Sequence, residues 1–176
     1  YIQAAEKLGK EIAGRGIRLV YGGASVGLMG AVAKAALRNG GRVTGVIPQT
    51  LFDQEVAFEA LDDLIVVDSM HTRKAKMAEL ADGFIALPGG WGTLEEIFEI
   101  LTWAQLGFHE KPCGLMNVEG YFDGLIAFLE NSFTRKFVKE LYRPLLMTSD
   151  QPAELLDQFA VYQAPKVRKW VSEDEL

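Results

Sequence analysis

The sequence predicts an α/β fold: a doubly wound, mostly parallel, Rossmann-like sheet with helices on both faces. Short, continuously apolar segments such as 64–67 and 84–87 lack the alternation of a half-exposed strand, as expected where a sheet is covered on both sides. Between such segments run longer stretches with apolar residues three and four apart, so strands alternate with helices. Glycine-rich turns stand where two of the strands pass into helices, beyond the carboxyl ends where ligands of open α/β sheets bind.

Taken in order, Ile2, Ala5, Leu8 and Ile12 mark one face of a first helix, which Gly14 to Gly16 end. Residues 17–21 form a short strand stopped by Gly22-Gly23. An Ala-rich helix over 28–37 closes at Asn39-Gly40-Gly41. A strand over 42–47 halts at Pro48, which cannot donate to a ladder. Residues 49–61 read as loop with one helical turn. A strand over 64–67 leads to a helix over 70–81, capped by Asp68 or Ser69. The strand 84–87 leads to a helix over 93–106 with Leu94, Ile97, Phe98 and Leu101 facing inward. An apolar segment at 113–117, a helix over 121–133, a basic helical stretch to Tyr142, a strand at 145–147 and a helix over 152–159 complete the pattern. Residues 1–163 read as one domain and 164–176 as a peripheral tail.

The chain has 176 residues, a length that suits a single domain of ~150 residues. Eighteen basic against 24 acidic residues give a net charge of −6, which argues against a general nucleic-acid or anionic-membrane surface. Cys113 is the sole cysteine and can form no internal disulfide, favouring a reducing cytoplasmic setting. No apolar run approaches the ~18 residues of a membrane span, and no signal-peptide pattern precedes the first helix. His71 and His109 lack ligand spacing, so no metal is expected; separately, no other cofactor is expected.

Two glycine loops carry the chemical signal. The first, 22–30, is Gly-Gly-Ala-Ser-Val-Gly-Leu-Met-Gly between a strand and a helix, a place where backbone amides attract an anion. It contains no G-x-G-x-x-G, and Leu28-Met29 stand where a P-loop needs Lys-Ser/Thr. A tight turn with close helix packing is the competing reading. The second, 88–96, is Pro-Gly-Gly-Trp-Gly-Thr-Leu-Glu-Glu, and its glycines allow close backbone approach to a ligand. Thr93 suits an N-cap, and Glu96 three residues later completes T-x-x-E, a capping box. Spacing alone favours that cap over a catalytic carboxylate.

The segment 88–96 resembles the PGGxGTxxE signature of the Lonely guy (LOG) family, phosphoribohydrolases of cytokinin riboside 5′-monophosphates often mislabelled as lysine decarboxylases. Met70-His71-Thr72-Arg73-Lys74 resembles the family's M-H-x-R-K motif, and residues 21–30 and 102–107 also read like family segments. The resemblance runs from about Leu8 to Met147. Family members begin with a strand ending in a Gly-Ser turn, whereas this sequence opens at Tyr1 inside the following helix, so a first strand is expected upstream.

The resemblance implies hydrolysis of the N-glycosidic bond of a nucleoside 5′-monophosphate, giving an adenine-type base and ribose 5-phosphate. It assigns catalysis to Glu96 and Arg73. It implies that Lys74 would be a binding residue and Glu95 a ribose ligand; spacing alone does not decide which of the two glutamates is the base. Gly89, Gly90, Gly92 and Thr93 would cradle the phosphate, with Trp91 and Leu94 in the same binding segment. Trp91 as a mere cover for the loop is the alternative. Gly23 and Ser25 would line the pocket, and Glu55 and Thr102 match family positions that contact substrate. The family also implies a homodimer. Three other functions compete: an AMP nucleosidase of broad specificity, a nucleotide-binding carrier without turnover, and a pyridoxal-dependent decarboxylase. The last lacks a lysine in a recognisable cofactor motif.

Overall fold

The computed structural model describes residues 1–52, 58, 61 and 63–166. The chain forms two compact units, Tyr1–Ala81 and Asp82–Leu176. Each is an α/β layer with a three-stranded parallel sheet.

The first unit runs α1 (Ile2–Gly14), β1 (Leu19–Tyr21), α2 (Gly27–Arg38), β2 (Val43–Pro48), α3 (Gln49–Phe52), β3 (Asp63–Val67) and α4 (Met70–Leu80). Its strands lie in the order β1-β2-β3, all parallel. Every residue of the central strand β2 is buried, which accounts for its apolar run. The strand does not halt before Pro48 as expected. Pro48 pairs with Val67 as the last residue of the ladder, where a missing donor costs least. Thr44, the polar exception in β2, donates its hydroxyl to the Asp63 carboxylate on β3. Helices α1 and α2 pack almost backbone to backbone. A Cβ at Gly9 would lie 2.3 Å from the Val32 carbonyl oxygen, so only glycine fits that crossing.

Ser69, rather than Asp68, caps α4: its Oγ accepts the Thr72 amide at 3.1 Å. Ser69→Ala is expected to cost about 0.5–2 kcal/mol, measurable as a lower urea midpoint at unchanged slope. Asp68 stays outside the helix, accepting the Thr72 hydroxyl at 2.6 Å, and that hydrogen bond holds its carboxyl below the usual range.

The second unit runs β4 (Phe84–Ala86), α5 (Trp91–Leu106), β5 (Cys113–Met116), a 3₁₀ turn (Val118–Gly120), α6 (Asp123–Thr134), a longer 3₁₀ turn (Glu140–Leu145), β6 (Leu146–Ser149) and α7 (Pro152–Ala160). The order β4-β5-β6 is again parallel, with β5 wholly buried at the centre. Gly107 ends α5 in the left-handed region at φ 84°, as a glycine C-cap should. Helix α7 lies close over β5: a Cβ at Gly114 would meet the Leu155 side chain at 2.8 Å.

The basic stretch after α6 does not form an α-helix, and only from Glu140 onward does a 3₁₀ turn begin. Lys136 takes φ 63°, which stops the helix, and Pro144 lies in the 3₁₀ turn that follows. Arg143, in that 3₁₀ turn, has partners of its own. It pairs with Glu130 and Glu140 and stacks over the Phe133 ring at 4.4 Å.

His109 pins the turn between α5 and β5. One ring nitrogen, Nε2, donates to the Ile100 carbonyl at 2.9 Å, and Nδ1 accepts the Lys111 amide at 3.1 Å. That pairing requires the neutral ring. Burial, outweighing the raising effect of the Ile100 carbonyl and aided by the Lys111 charge, lowers its pKa from 6.5. As pH falls below 6.5 the unfolded chain takes up a proton that the folded chain refuses, so stability is lost. Urea titrations at pH 7.5 and 5.5 should show a larger loss for the wild type than for His109→Gln.

Candidate functional site

In the first unit the parallel strands place three connections at one edge of the sheet: the glycine loop after β1, the start of α3 after β2, and the Ser69-capped start of α4 after β3. Arg73 sits in the first turn of α4 and points into this edge. It is only 8% exposed, so it is not a solvated helix arginine. Its Nε donates to the Val46 carbonyl at 3.3 Å, and its guanidinium occupies the space above Gly22. A Cβ at Gly22 would lie 2.2 Å from Nη2. The glycine and the arginine therefore form one device, because absence of a side chain at position 22 makes the bed for a buried cation. A buried guanidinium at a strand end is set up to meet an anion or a planar hydrogen-bonding group.

Within the glycine loop, turn geometry explains most of the residues. Gly23 is left-handed at φ 76°, its carbonyl accepts the Phe58 amide at 2.8 Å, and a Cβ there would lie 3.0 Å from that of Ile47. Ser25 is half-buried, and its carbonyl accepts the Lys34 ammonium at 3.1 Å. A Cβ at Gly30 would strike the Ser25 carbonyl oxygen at 2.0 Å. These contacts supply the tight turn and close helix packing. Lys74, beside Arg73, is half-buried. Glu55 lies outside the described residues.

In the second unit, α5 starts two residues earlier than the sequence suggests. Its N-cap is Gly90 and no side chain caps it. Thr93 is thus inside the first turn, and the expected capping box is not formed. The first bond of the helix runs from the Leu94 amide to the Gly90 carbonyl at 3.2 Å. The amides of residues 90–93 then have no acceptor within the helix, and they lie at its positive end. Gly90 and Gly92 are exposed, with open space where a Cβ would stand. Gly89 has none: a Cβ would lie 2.2 Å from the Thr93 Oγ1, so this glycine exists to let Thr93 close over it. Trp91 is 90% exposed and does not cover the loop.

One turn further along α5, Glu95 is exposed and Glu96 half-buried, with Leu94 half-buried before them. Their Cα–Cβ directions diverge by about 100°, so the two carboxylates face different surroundings. Thr102 is not gathered here. It stands about 18 Å along the helix axis from the N-cap, donates its hydroxyl back to the Phe98 carbonyl at 2.7 Å, and lines a groove of ≈ 230 Å³ between α5, α6 and the longer 3₁₀ turn. Tyr121, which no local pattern singles out, donates its hydroxyl to the Gly89 carbonyl at 2.7 Å. Among the described residues, no cluster of three or more His, Cys, Asp and Glu side chains could hold a metal.

Residues 29–159 match a protein-family model described as "Possible lysine decarboxylase". A probable cytokinin riboside 5′-monophosphate phosphoribohydrolase of Oryza sativa subsp. japonica is 48% identical over 162 residues, 92% of this chain and 65% of that protein. The chain belongs to the Lonely guy family. A LOG-family phosphoribohydrolase of the same name from Arabidopsis thaliana is 47% identical over 163 residues, 93% of this chain and 75% of that protein. The chain thus spans roughly two thirds to three quarters of the length of these LOG relatives. Among solved structures, a molybdenum cofactor binding protein from the phototrophic bacterium Rippkaea orientalis superposes with a TM-score of 0.67 at 25% identity, over 89% of this chain and 83% of that one. A molybdenum cofactor carrier protein from Chlamydomonas reinhardtii gives 0.66 at 24% identity, over 92% and 88%, and shares the fold.

Proposed function

We propose that this LOG-family protein hydrolyses the N-glycosidic bond of N6-modified adenosine 5′-monophosphates, releasing the base and ribose 5-phosphate. The observation that carries the reading is near-half identity, across almost the whole chain, to phosphoribohydrolases of cytokinin riboside 5′-monophosphates. In this reaction water adds to the anomeric carbon as the C–N bond breaks. The bond's electron pair departs with the purine, which takes up a proton, while positive charge builds on the ribose ring.

The phosphate is assigned to the amides of residues 90–93, where helix polarity favours an anion. Glu96 takes the role of the carboxylate that faces the developing charge and draws a proton from water. Its half-buried position, against the exposed one of Glu95, and the absence of a capping box support that choice over its neighbour. Arg73 is assigned to bind the substrate through paired hydrogen bonds. A homodimer and a reducing cytoplasmic setting belong to the same proposal; Cys113 is buried, and burial pushes its thiol up to about 12, leaving it inert. Among the described residues, no helix is long and apolar enough to cross a membrane.

Incubation with isopentenyladenosine 5′-monophosphate and with AMP, followed by chromatography of the released bases, tests the reading. Preferential release of isopentenyladenine supports it, and equal release marks a general AMP nucleosidase. A carrier that binds without turnover is the second reading, favoured by the likeness to the Rippkaea protein. Binding with no ribose 5-phosphate formed would select it.

A further inference from the structure

We propose that Tyr121 is a positioning residue for the phosphate-binding loop, aiming the Gly90 amide at the substrate phosphate. The inference rests on the loop assignment above and on contacts made wholly inside the second unit. Tyr121 follows β5 in the chain and is 32 positions from Gly89, yet its phenol donates to the Gly89 carbonyl at 2.7 Å. That carbonyl and the Gly90 N–H belong to one peptide group. Among the described residues no peptide bond is cis, so the two point in opposite directions across a rigid plane. Holding the carbonyl toward Tyr121 therefore fixes the Gly90 N–H away from it, at a residue that is itself exposed.

This anchoring is needed because of what the loop is made of. Gly89 and Gly90 have the widest backbone freedom of any residues, and α5 has no side-chain cap to hold its first peptide. Without an anchor the 89–90 peptide can rotate, and the first donor of the site is lost for much of the time. Tyr121 is itself held. The Asn117 side chain accepts the Phe122 amide at 2.7 Å and donates to Asp123 at 2.8 Å, clamping the turn through the left-handed Glu119 and Gly120. The Tyr121 ring packs edge-on against Phe122 at 5.0 Å, and Phe122 is almost fully buried.

Tyr121→Phe removes the hydroxyl and leaves the ring contact, so the fold should be retained with an unchanged melting temperature. Phosphate binding acts equally on ground and transition states, so the loss should appear in KM rather than kcat. KM for isopentenyladenosine 5′-monophosphate should rise about five- to tenfold, the worth of one hydrogen bond. The inhibition constant of inorganic phosphate should rise in parallel, with kcat within twofold. Unchanged KM and phosphate inhibition in Tyr121→Phe, beside a wild type that turns over and is inhibited by phosphate, would overturn the positioning role alone. A wild type that neither turns over nucleotide nor binds phosphate would overturn the loop assignment as well.

Discussion

Glu96→Gln is expected to fold as the wild type does and to release base at least about 10²-fold more slowly. The substitution keeps the shape and removes the charge. Stability should hold because Glu96 is not a cap: α5 begins at Trp91 with Gly90 before it, and Thr93 lies within the first turn. The rate should fall because a neutral amide neither offsets positive charge on the ribose nor takes a proton from water. Glu95→Gln, on the exposed neighbour, is the control and should cost much less. Single-turnover base release and urea unfolding on all three proteins separate the effects. Full activity in Glu96→Gln would reassign the carboxylate.

The second large effect is expected from Gly22→Ala. The added methyl would stand 2.2 Å from the Arg73 Nη2, and the far end of a long side chain yields more easily than a strand. The guanidinium should move and the sheet should not, so stability should drop by no more than about 1–3 kcal/mol. A displacement of that size at a substrate-binding group costs on the order of 10²-fold in rate. A double-mutant cycle makes the argument specific. If Gly22→Ala acts through Arg73, it should add little to the defect of Arg73→Ala. Full additivity would mean that the glycine serves the reaction by another route.

The fold was legible wherever burial on both faces wrote a continuous apolar run, as in β2 and β5, and wherever an element ends in a residue with its own chemistry, such as Ser69 before α4 or Asn39 after α2. It was less legible where backbone alone decides. Gly90 caps α5 with no side chain to announce it, so the threonine three residues later looks like the cap. Lys and Arg favour helix, yet Lys136 turns left-handed and Glu130 and Glu140 claim Arg143, and neither event has a local signature. The same limit applies to the site. The glycine loops and the acidic pair declare themselves by composition. The burial of Arg73 depends on a glycine from another strand end, and the anchor on Gly89 comes from Tyr121 across the sheet. Such long-range fits leave no periodicity to read.

The proposed reaction depends on the amides at the start of α5 gripping the phosphate of a nucleotide. The most direct test is a crystal structure of Glu96→Gln with isopentenyladenosine 5′-monophosphate. Phosphate oxygens should lie within hydrogen-bonding distance of the amides of residues 90–93. A nucleotide bound with its phosphate elsewhere, and those amides turned to protein or water, would contradict it.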